Sequence, residues 1–369
     1  MMLRRKMMLI LLAGIMLFGF VGCEGDKPSG LENPTASAGV SMNPNTNGNQ
    51  TADTTTAKPN AQTTKSPSPT KTPVATTPVA GGTLYQLVDG GVKGESRVGQ
   101  MNSYVIHTDN NKLMIFDGGY GRNLADLVKL AQELTGQTVP VVDAWFLSHV
   151  HGDHVNAFIE LMNASTPAMT VKKVYSCLPT RKYVEFHDGL EVYDALVAAL
   201  EKLPAGVSVT VKEDDVITVD GLKVEVLLTV DEKASVLQGG VAINESSTIF
   251  RLTIGGQRVL FLGDAYQTSG SRLRAKYRKN LDGLQAEVVQ MAHHGSQGVQ
   301  KELYKIIAPK ACLWPTPDWL WENDSGEGYN TGNWETITLN TYLTNICGVK
   351  HHYVAKDGMQ KLVFPLDFS

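Results

Sequence analysis

Val139-Pro140-Val141-Val142-Asp143-Ala144-Trp145-Phe146-Leu147 runs directly into Ser148-His149-Val150-His151-Gly152-Asp153-His154. The first nine residues are almost continuously apolar, which at this length predicts a strand buried on both faces. The next seven hold three of the chain's nine histidines within six residues, with a carboxylate among them. Imidazole and carboxylate donors at the end of a rigid strand suit a borderline divalent ion such as Zn²⁺. In an extended segment His149 and His151 project to the same side, so they can share one ion. Asp153 and His154 lie past a glycine bend, from which they can turn toward a second.

Working outward, strands are predicted at residues 84–88, 103–107 and 112–116, followed by a helix over 123–134. That helix is read from the spacing of Leu124, Leu127, Val128, Ala131 and Leu134. Beyond the histidine run come a helix at 155–162, a strand at 170–176, a helix at 191–203 and strands at 207–211, 215–219 and 223–228. Gly255-Gly256 turns strand 247–254 back into 258–262 as a hairpin. A strand at 286–292, a helix at 299–307 and a strand-turn-strand over 353–365 complete the series. Runs of strands broken by a few helices predict an α/β (α+β) domain, with two mostly antiparallel sheets packed together and helices outside. No 20–50-residue repeat occurs, which excludes a solenoid or propeller.

Composition divides the 369 residues unevenly. Eight of the 16 prolines and twelve threonines fall between Pro28 and Pro78, and no aromatic residue occurs between Cys23 and Leu84. Such a stretch cannot bury enough apolar surface to offset its ordering entropy, so residues 23–80 are expected to form a disordered tether. Residues 1–22 have the layout of an export signal: Arg4-Arg5-Lys6, then an uncharged apolar run too short to span a bilayer. Phe20-Val21-Gly22-Cys23 resembles a bacterial lipobox, which implies lipidation of Cys23 and a lipid anchor on the outer face of the membrane, in a Gram-positive cell. That leaves 81–369 as one large domain. The formal net charge of −4 argues against a protein that coats nucleic acid. Cys177, Cys312 and Cys347 are an odd set without metal-site spacing and read as buried free thiols.

Further motifs follow other predicted strands: Gly263-Asp264 after 258–262, and His293-His294-Gly295-Ser296 after 286–292. Together with Ser148–His154, they resemble the metallo-β-lactamase-fold hydrolase superfamily. Val98-Gly99-Gln100, Phe116-Asp117-Gly118-Gly119 and Asn244-Glu245-Ser246-Ser247 narrow the likeness to one branch. That branch includes the hydrolase-like domain of the competence (DNA-uptake) membrane protein and the surface phosphocholine esterases. The resemblance implies a four-layer αββα sandwich and two divalent ions, zinc first and manganese second. His149, His151, Asp153, His154, Asp264 and one or both of His293 and His294 would be their ligands. Asp264 would bridge the ions, while Asp153 would also steer the proton of the attacking water. One departure stands out: the wider superfamily has a Gly-His-Thr ligand before the Gly-Asp, and Asn244 occupies that region here. Asn244 can be a weak ligand, hold a bound water, or close an Asx turn.

Two ions sharing a water supply hydroxide near neutral pH and neutralise charge on the attacked group, which suits a phosphodiester. Trp314, Trp319, Trp321, Tyr329 and Trp334 cluster in a loop-like stretch and are candidates for holding the substrate. Asp318, Glu322, Asp324 and Glu327 make that stretch acidic, favouring a cationic or neutral group over DNA. His107 and His187 read as structural or solvated. His351 and His352 are weaker candidates for a proton donor or late ligand. The expected activity is therefore an anchored, metal-dependent phosphodiester hydrolase acting on a small molecule, cell-wall material or a lipid head group. The alternatives are a secreted nuclease related to DNA uptake and a non-catalytic surface binding or uptake component.

Overall fold

The computed structural model describes residues 80–91, 97–187, 189–234 and 239–369. The expected export signal, Cys23 and all but the last residue of the expected tether lie outside these residues. Among the described residues no helix is long and apolar enough to cross a membrane.

The chain forms β1 (Gly82–Gln86), β2 (Ser103–Thr108), β3 (Leu113–Asp117), α1 (Leu124–Thr135), β4 (Val141–Phe146) and α2 (Gly152–Asn163). Short β5 (Thr170–Val171) and β6 (Val174–Ser176) lead to α3 (Arg181–Phe186), α4 (Leu190–Glu201) and β7 (Ser208–Thr210). Next come β8 (Val216–Val219), β9 (Leu222–Leu228), α5 (Gly240–Asn244), β10 (Ile249–Ile254), β11 (Gln257–Phe261) and α6 (Gln267–Lys276). The remainder is β12 (Val288–Gln290), α7 (Lys301–Ile307), β13 (Ala311–Trp314), α8 (Asp318–Trp321), α9 (Thr336–Asn345), β14 (His351–Val354) and β15 (Gln360–Phe364).

Two sheets result. The first runs β15-β1-β2-β3-β4-β6-β7 with β5 beside β4; the second runs β14-β13-β12-β11-β10-β9-β8. The expectation of mostly antiparallel sheets is corrected. β15, β1, β2 and β3 pair antiparallel, but β3, β4, β6 and β7 pair parallel. Likewise β8 to β11 are antiparallel and β11 to β14 parallel. Parallel neighbours need a crossover, and the helices between β3 and β7 and between β11 and β14 provide it.

Alternation along the strands divides the core into three interlayers, which defines the four layers. Val105, Ile115 and Trp145 of the first sheet pack with Leu127 of α1 and Phe158 of α2. Leu260, Val289 and Trp314 of the second pack with Leu303 of α7 and Leu343 of α9. Between the sheets lie Leu84, Ile106, Phe116 and Phe146 against Val224, Phe250, Phe261 and Leu313. At the centre, Phe116 stacks on Phe146 of its own sheet and Phe261 of the other, with ring centroids 4.6 and 4.2 Å apart. Each such pair is worth about 0.5–1.5 kcal/mol beyond the area it buries. Phe116, Phe146 and Phe261 stand just before Asp117, His149 and Asp264 in the chain, so this stack is the floor beneath the site.

Candidate metal centre

The principal donors lie just past the carboxyl ends of β4, β11 and β12, in the connecting loops and in the first turn of α2. His149 is buried, and His151 is extended (φ −105°, ψ 149°) as the cap of α2. The two rings point together, with His149 Nε2 3.1 Å from His151 Nδ1. α2 begins at Gly152. Asp153 and His154 therefore lie in its first turn rather than past a glycine bend, and the His154 ring packs edge-on against that of His149, with centroids 4.1 Å apart.

Asp264 follows Gly263, whose φ is +55°. A Cβ there would stand 3.1 Å from both Ser148 Cβ and Ser247 Oγ, so this turn requires glycine. Gln290, at the end of β12, clamps it: its Oε1 accepts from Leu262 N and Gly263 N, each at 2.8 Å. Asp264 Oδ1 lies 3.2 Å from His154 Nε2, and Oδ2 lies 3.2 Å from His294 Nε2 and 3.9 Å from His149 Nε2.

His293, His294 and Gly295 are all left-handed, with φ of 49°, 56° and 78°. This turn buries His294 in the cluster, with Nε2 3.0 Å from Asp153 Oδ2. It leaves His293 outside, half-buried, with Nδ1 3.0 Å from Ser296 Oγ and its ring against Tyr266. The expectation that both histidines can ligate is thus narrowed to His294.

Among the described residues two donor sets emerge. Asp153, His154, Asp264 and His294 form one, and His149, His151 and Asp264 the other; within each, the donor atoms lie within 4.8 Å of one another. Burial drives His149, His151 and His293 below the ordinary imidazole range. For His154 burial is outweighed by the carboxylates of Asp264, Asp117 and Asp153, which raise it well above that range. His294 is likewise disfavoured by burial but carried up to about 9 by Asp264 and Asp153. Burial opposes ionisation of Asp153 and Asp264 too, yet the facing His154 and His294 charges hold both below the usual carboxylate range. The buried carboxylates thus call for positive charge, and in the metal-free chain protons supply it. His294 fits an ion better than a proton. Both its ring nitrogens are buried without an aligned hydrogen-bond partner, although two carboxylates lie close. The donor set of imidazole and carboxylate fits a divalent metal.

Two supporting residues escaped sequence reasoning as parts of the site. Asp117, itself left-handed at φ 57°, accepts from Ser148 N at 2.8 Å and Ser148 Oγ at 2.9 Å. Its Oδ2 is also 2.8 Å from His154 Nδ1. Trp145 Nε1 donates to the Asp117 carbonyl from beneath. Holding Nδ1–H leaves His154 Nε2 free to ligate, the usual carboxylate–histidine arrangement. Asn102, fully buried, accepts from Tyr104 Oη and donates from Nδ2 to Asp264 Oδ1 at 3.1 Å. The Phe-Asp-Gly-Gly run was the signal for Asp117; a lone Asn carries none.

The family profile of the metallo-beta-lactamase superfamily matches residues 96–310, which include every member of both donor sets. The chain belongs to the metallo-beta-lactamase superfamily. It is a metal-dependent, hydrolase-type protein of that fold. Solved structures similar to it include YhfI of Bacillus subtilis, a metallo-beta-lactamase fold protein. That match has 14% identity, covers 76% of this chain and 100% of YhfI, and has a TM-score of 0.46. CmlA, a diiron β-hydroxylase from Streptomyces venezuelae, is 12% identical over 77% of this chain at a TM-score of 0.46; the match spans 54% of CmlA, about half its length. Unliganded yeast PDE1 is 11% identical, with 77% of this chain and 100% of that one covered and a TM-score of 0.46. No curated protein sequence matches the chain significantly.

Other candidates separate by burial. Trp314 belongs to β13 and is completely buried, with Nε1 donating to His352 Nδ1 at 3.0 Å. It is core, which corrects its assignment to a substrate loop: no ligand can reach the ring. Trp321 is half-buried, edge-on to Trp314. Trp319 and Trp334 form an edge-on pair, and Trp319 Nε1 donates to Val98 O. Tyr329 is 69% exposed. His352 also lies 3.2 Å from Thr344 Oγ1, and His351 packs on Phe368. Neither joins a donor set, which corrects the idea of a late ligand. His107 bonds Asn111 and His187 packs on Tyr183. Cys312 is buried, but Cys177 and Cys347 are only partly so; all three are free.

Proposed function

We propose that this superfamily member is a two-ion phosphodiester hydrolase, using zinc or manganese and anchored outside the cytoplasmic membrane through Cys23. The observation that carries the reading is the sharing of Asp264 by two donor sets, residues that would hold two cations at a single reacting centre. When bound, such ions supply an acidified water and clamp both the attacking and leaving oxygens of an anionic group.

This chain's own residues do the rest. His149 and His151 would hold one ion, Asp153, His154 and His294 the other, and Asp264 both. Asp117 fixes the His154 tautomer, and Asn102 fixes the Asp264 rotamer. Asp153 would also help steer the proton of the attacking water. Substrate choice would fall to the stretch anchored at both ends on the His294 turn, where Thr316 Oγ1 donates to His294 O and Thr336 Oγ1 to Gly295 O. Tyr329 is exposed there and Trp319 and Trp334 partly so, while exposed Asp318, Glu322 and Glu327 oppose a polyanion. These features favour a small or head-group phosphodiester over DNA.

The test is an assay of full-length, metal-loaded protein on bis(p-nitrophenyl) phosphate. Phosphomonoester, carboxylic ester, β-lactam and single-stranded DNA run in parallel. Turnover of the diester, lost in both Asp264→Ala and His149→Ala, is expected. Unchanged turnover in both variants overturns the site assignment. Full metal occupancy without any turnover favours a binding role, and preference for DNA favours a nuclease. Release from membranes by Cys23→Ala tests the anchor.

A further inference from the structure

The two donor sets are unequal. Asp153, His154, Asp264 and His294 offer four donors, two of them carboxylates, whereas His149, His151 and Asp264 offer three and share their only carboxylate. An ion that takes four ligands is satisfied by the protein in the first set and lacks one in the second. Among the described residues no further His, Cys, Asp or Glu joins the three.

Asn244 meets the missing requirement. It is 3% exposed, and its Oδ1 is buried without a hydrogen-bond partner among the described residues. A carboxamide oxygen in that state is costly unless something binds it. It closes no Asx turn, which removes one of the readings the sequence left open. Its helix lies beside the three-donor set. Gly240, one turn earlier and so on the same face, has its Cβ position 3.7 Å from His151 Nε2. The backbone just beyond is tied to the remaining members: Thr248 N donates to Ser148 O at 2.9 Å, and Asp264 N donates to Ser247 Oγ at 3.1 Å.

We propose that the ions load in order. The first fills Asp153, His154, Asp264 and His294. The second enters His149, His151 and Asp264 more weakly, with Asn244 Oδ1 as its fourth, neutral donor. A carboxamide oxygen is a poorer donor than imidazole for a zinc-type ion. The protein therefore passes through a one-ion form over a range of free metal, and the second ion becomes the controllable one. This rests on the two-ion reading above.

Metal-free full-length protein titrated with Co²⁺, whose absorption reports each site, tests the order; Zn²⁺ stoichiometry at buffered free metal checks the count. Two steps are expected, the second at free metal at least roughly tenfold higher. Asn244→His should tighten the second step and Asn244→Ala weaken it, both leaving the first in place, whereas His294→Ala should remove the first. Equal steps overturn the proposal. So does a second step unmoved in both Asn244 variants whose near-ultraviolet circular dichroism is native. Should Asn244→His fail to fold, Asn244→Ala alone decides. The readout is independent of turnover: ordered binding without hydrolysis sinks only the phosphodiesterase reading, and no binding sinks both.

Discussion

Asp117→Asn isolates the work of one carboxylate without changing its shape. Asp117 has two oxygens and three partners: Ser148 N at 2.8 Å, Ser148 Oγ at 2.9 Å and His154 Nδ1 at 2.8 Å. Asparagine keeps one oxygen and replaces the other with NH₂. The Ser148 amide can only donate, so the remaining oxygen stays with it. The NH₂ then faces Ser148 Oγ, which can accept, and His154 Nδ1, which can accept only by giving up its proton. That proton moves to Nε2, the atom 3.2 Å from Asp264 Oδ1 and the one needed for an ion. Asparagine tolerates the left-handed φ of 57° at this position, so the fold should survive. Loss of such an orienting partner costs roughly 10–100-fold in metal affinity, or about 1.4–2.8 kcal/mol of binding free energy. Competition titration against a chromophoric chelator measures it directly. Wild-type affinity for the first ion in a natively folded Asp117→Asn would refute the tautomer argument.

Four further outcomes follow from the same geometry. Asn102→Ala strips Tyr104 Oη of its acceptor and Asp264 of a donor, so urea unfolding should show a loss of about 1–3 kcal/mol; an unchanged midpoint would contradict it. Gly295→Ala would place a Cβ 2.5 Å from the buried Trp314 ring at φ +78°. It should cost about 1–3 kcal/mol and weaken the ion held by His294, which melting and metal analysis would check. Burial raises the Asp89 carboxyl, but Arg122, Gly99 N–H and Asn123 outweigh it and bring its pKa to about 2 from 3.8. A depressed folded pKa gives stability that is full above about pH 4 and lost as pH falls toward 2; the stability gap between wild type and Asp89→Asn should close across that window, and a constant gap would argue against the pairing. Free metal at about 100 times its Kd should add about 2.7 kcal/mol, so a chelator that leaves the melting temperature unmoved would remove the metal from the fold's stability.

Much of the centre was legible because its chemistry is written in residue type. Three histidines and an aspartate after a buried strand, and Asp264 after another, have few other reasons to stand where they do. The supporting shell was not. Asn102 and Asp117 owe their roles to burial and to partners far along the chain, and His294 is told from His293 only by three successive left-handed residues. Trp314 and Trp319 look alike in sequence; pairing of β13 between β12 and β14 buries one and not the other. In the second sheet the strand direction went wrong for a definite reason. α6 (Gln267–Lys276) buries only Leu273 among large apolar residues, and α9 (Thr336–Asn345) is rich in Thr and Asn. Neither shows a strong apolar stripe, yet these are the crossovers that make the neighbouring strands parallel.

The pairing of β15 with β1, Gly82 opposite Phe364, sets a rule for how this domain comes into being. β1 cannot be fully paired until β15 has been synthesised. A chain stopped before Gln360 leaves one edge of β1 bare and the space between the sheets short of Leu362 and Phe364. Pairing between strands so far apart in sequence is intrinsically slow, so the growing polypeptide cannot complete this layer until residues 360–364 arrive.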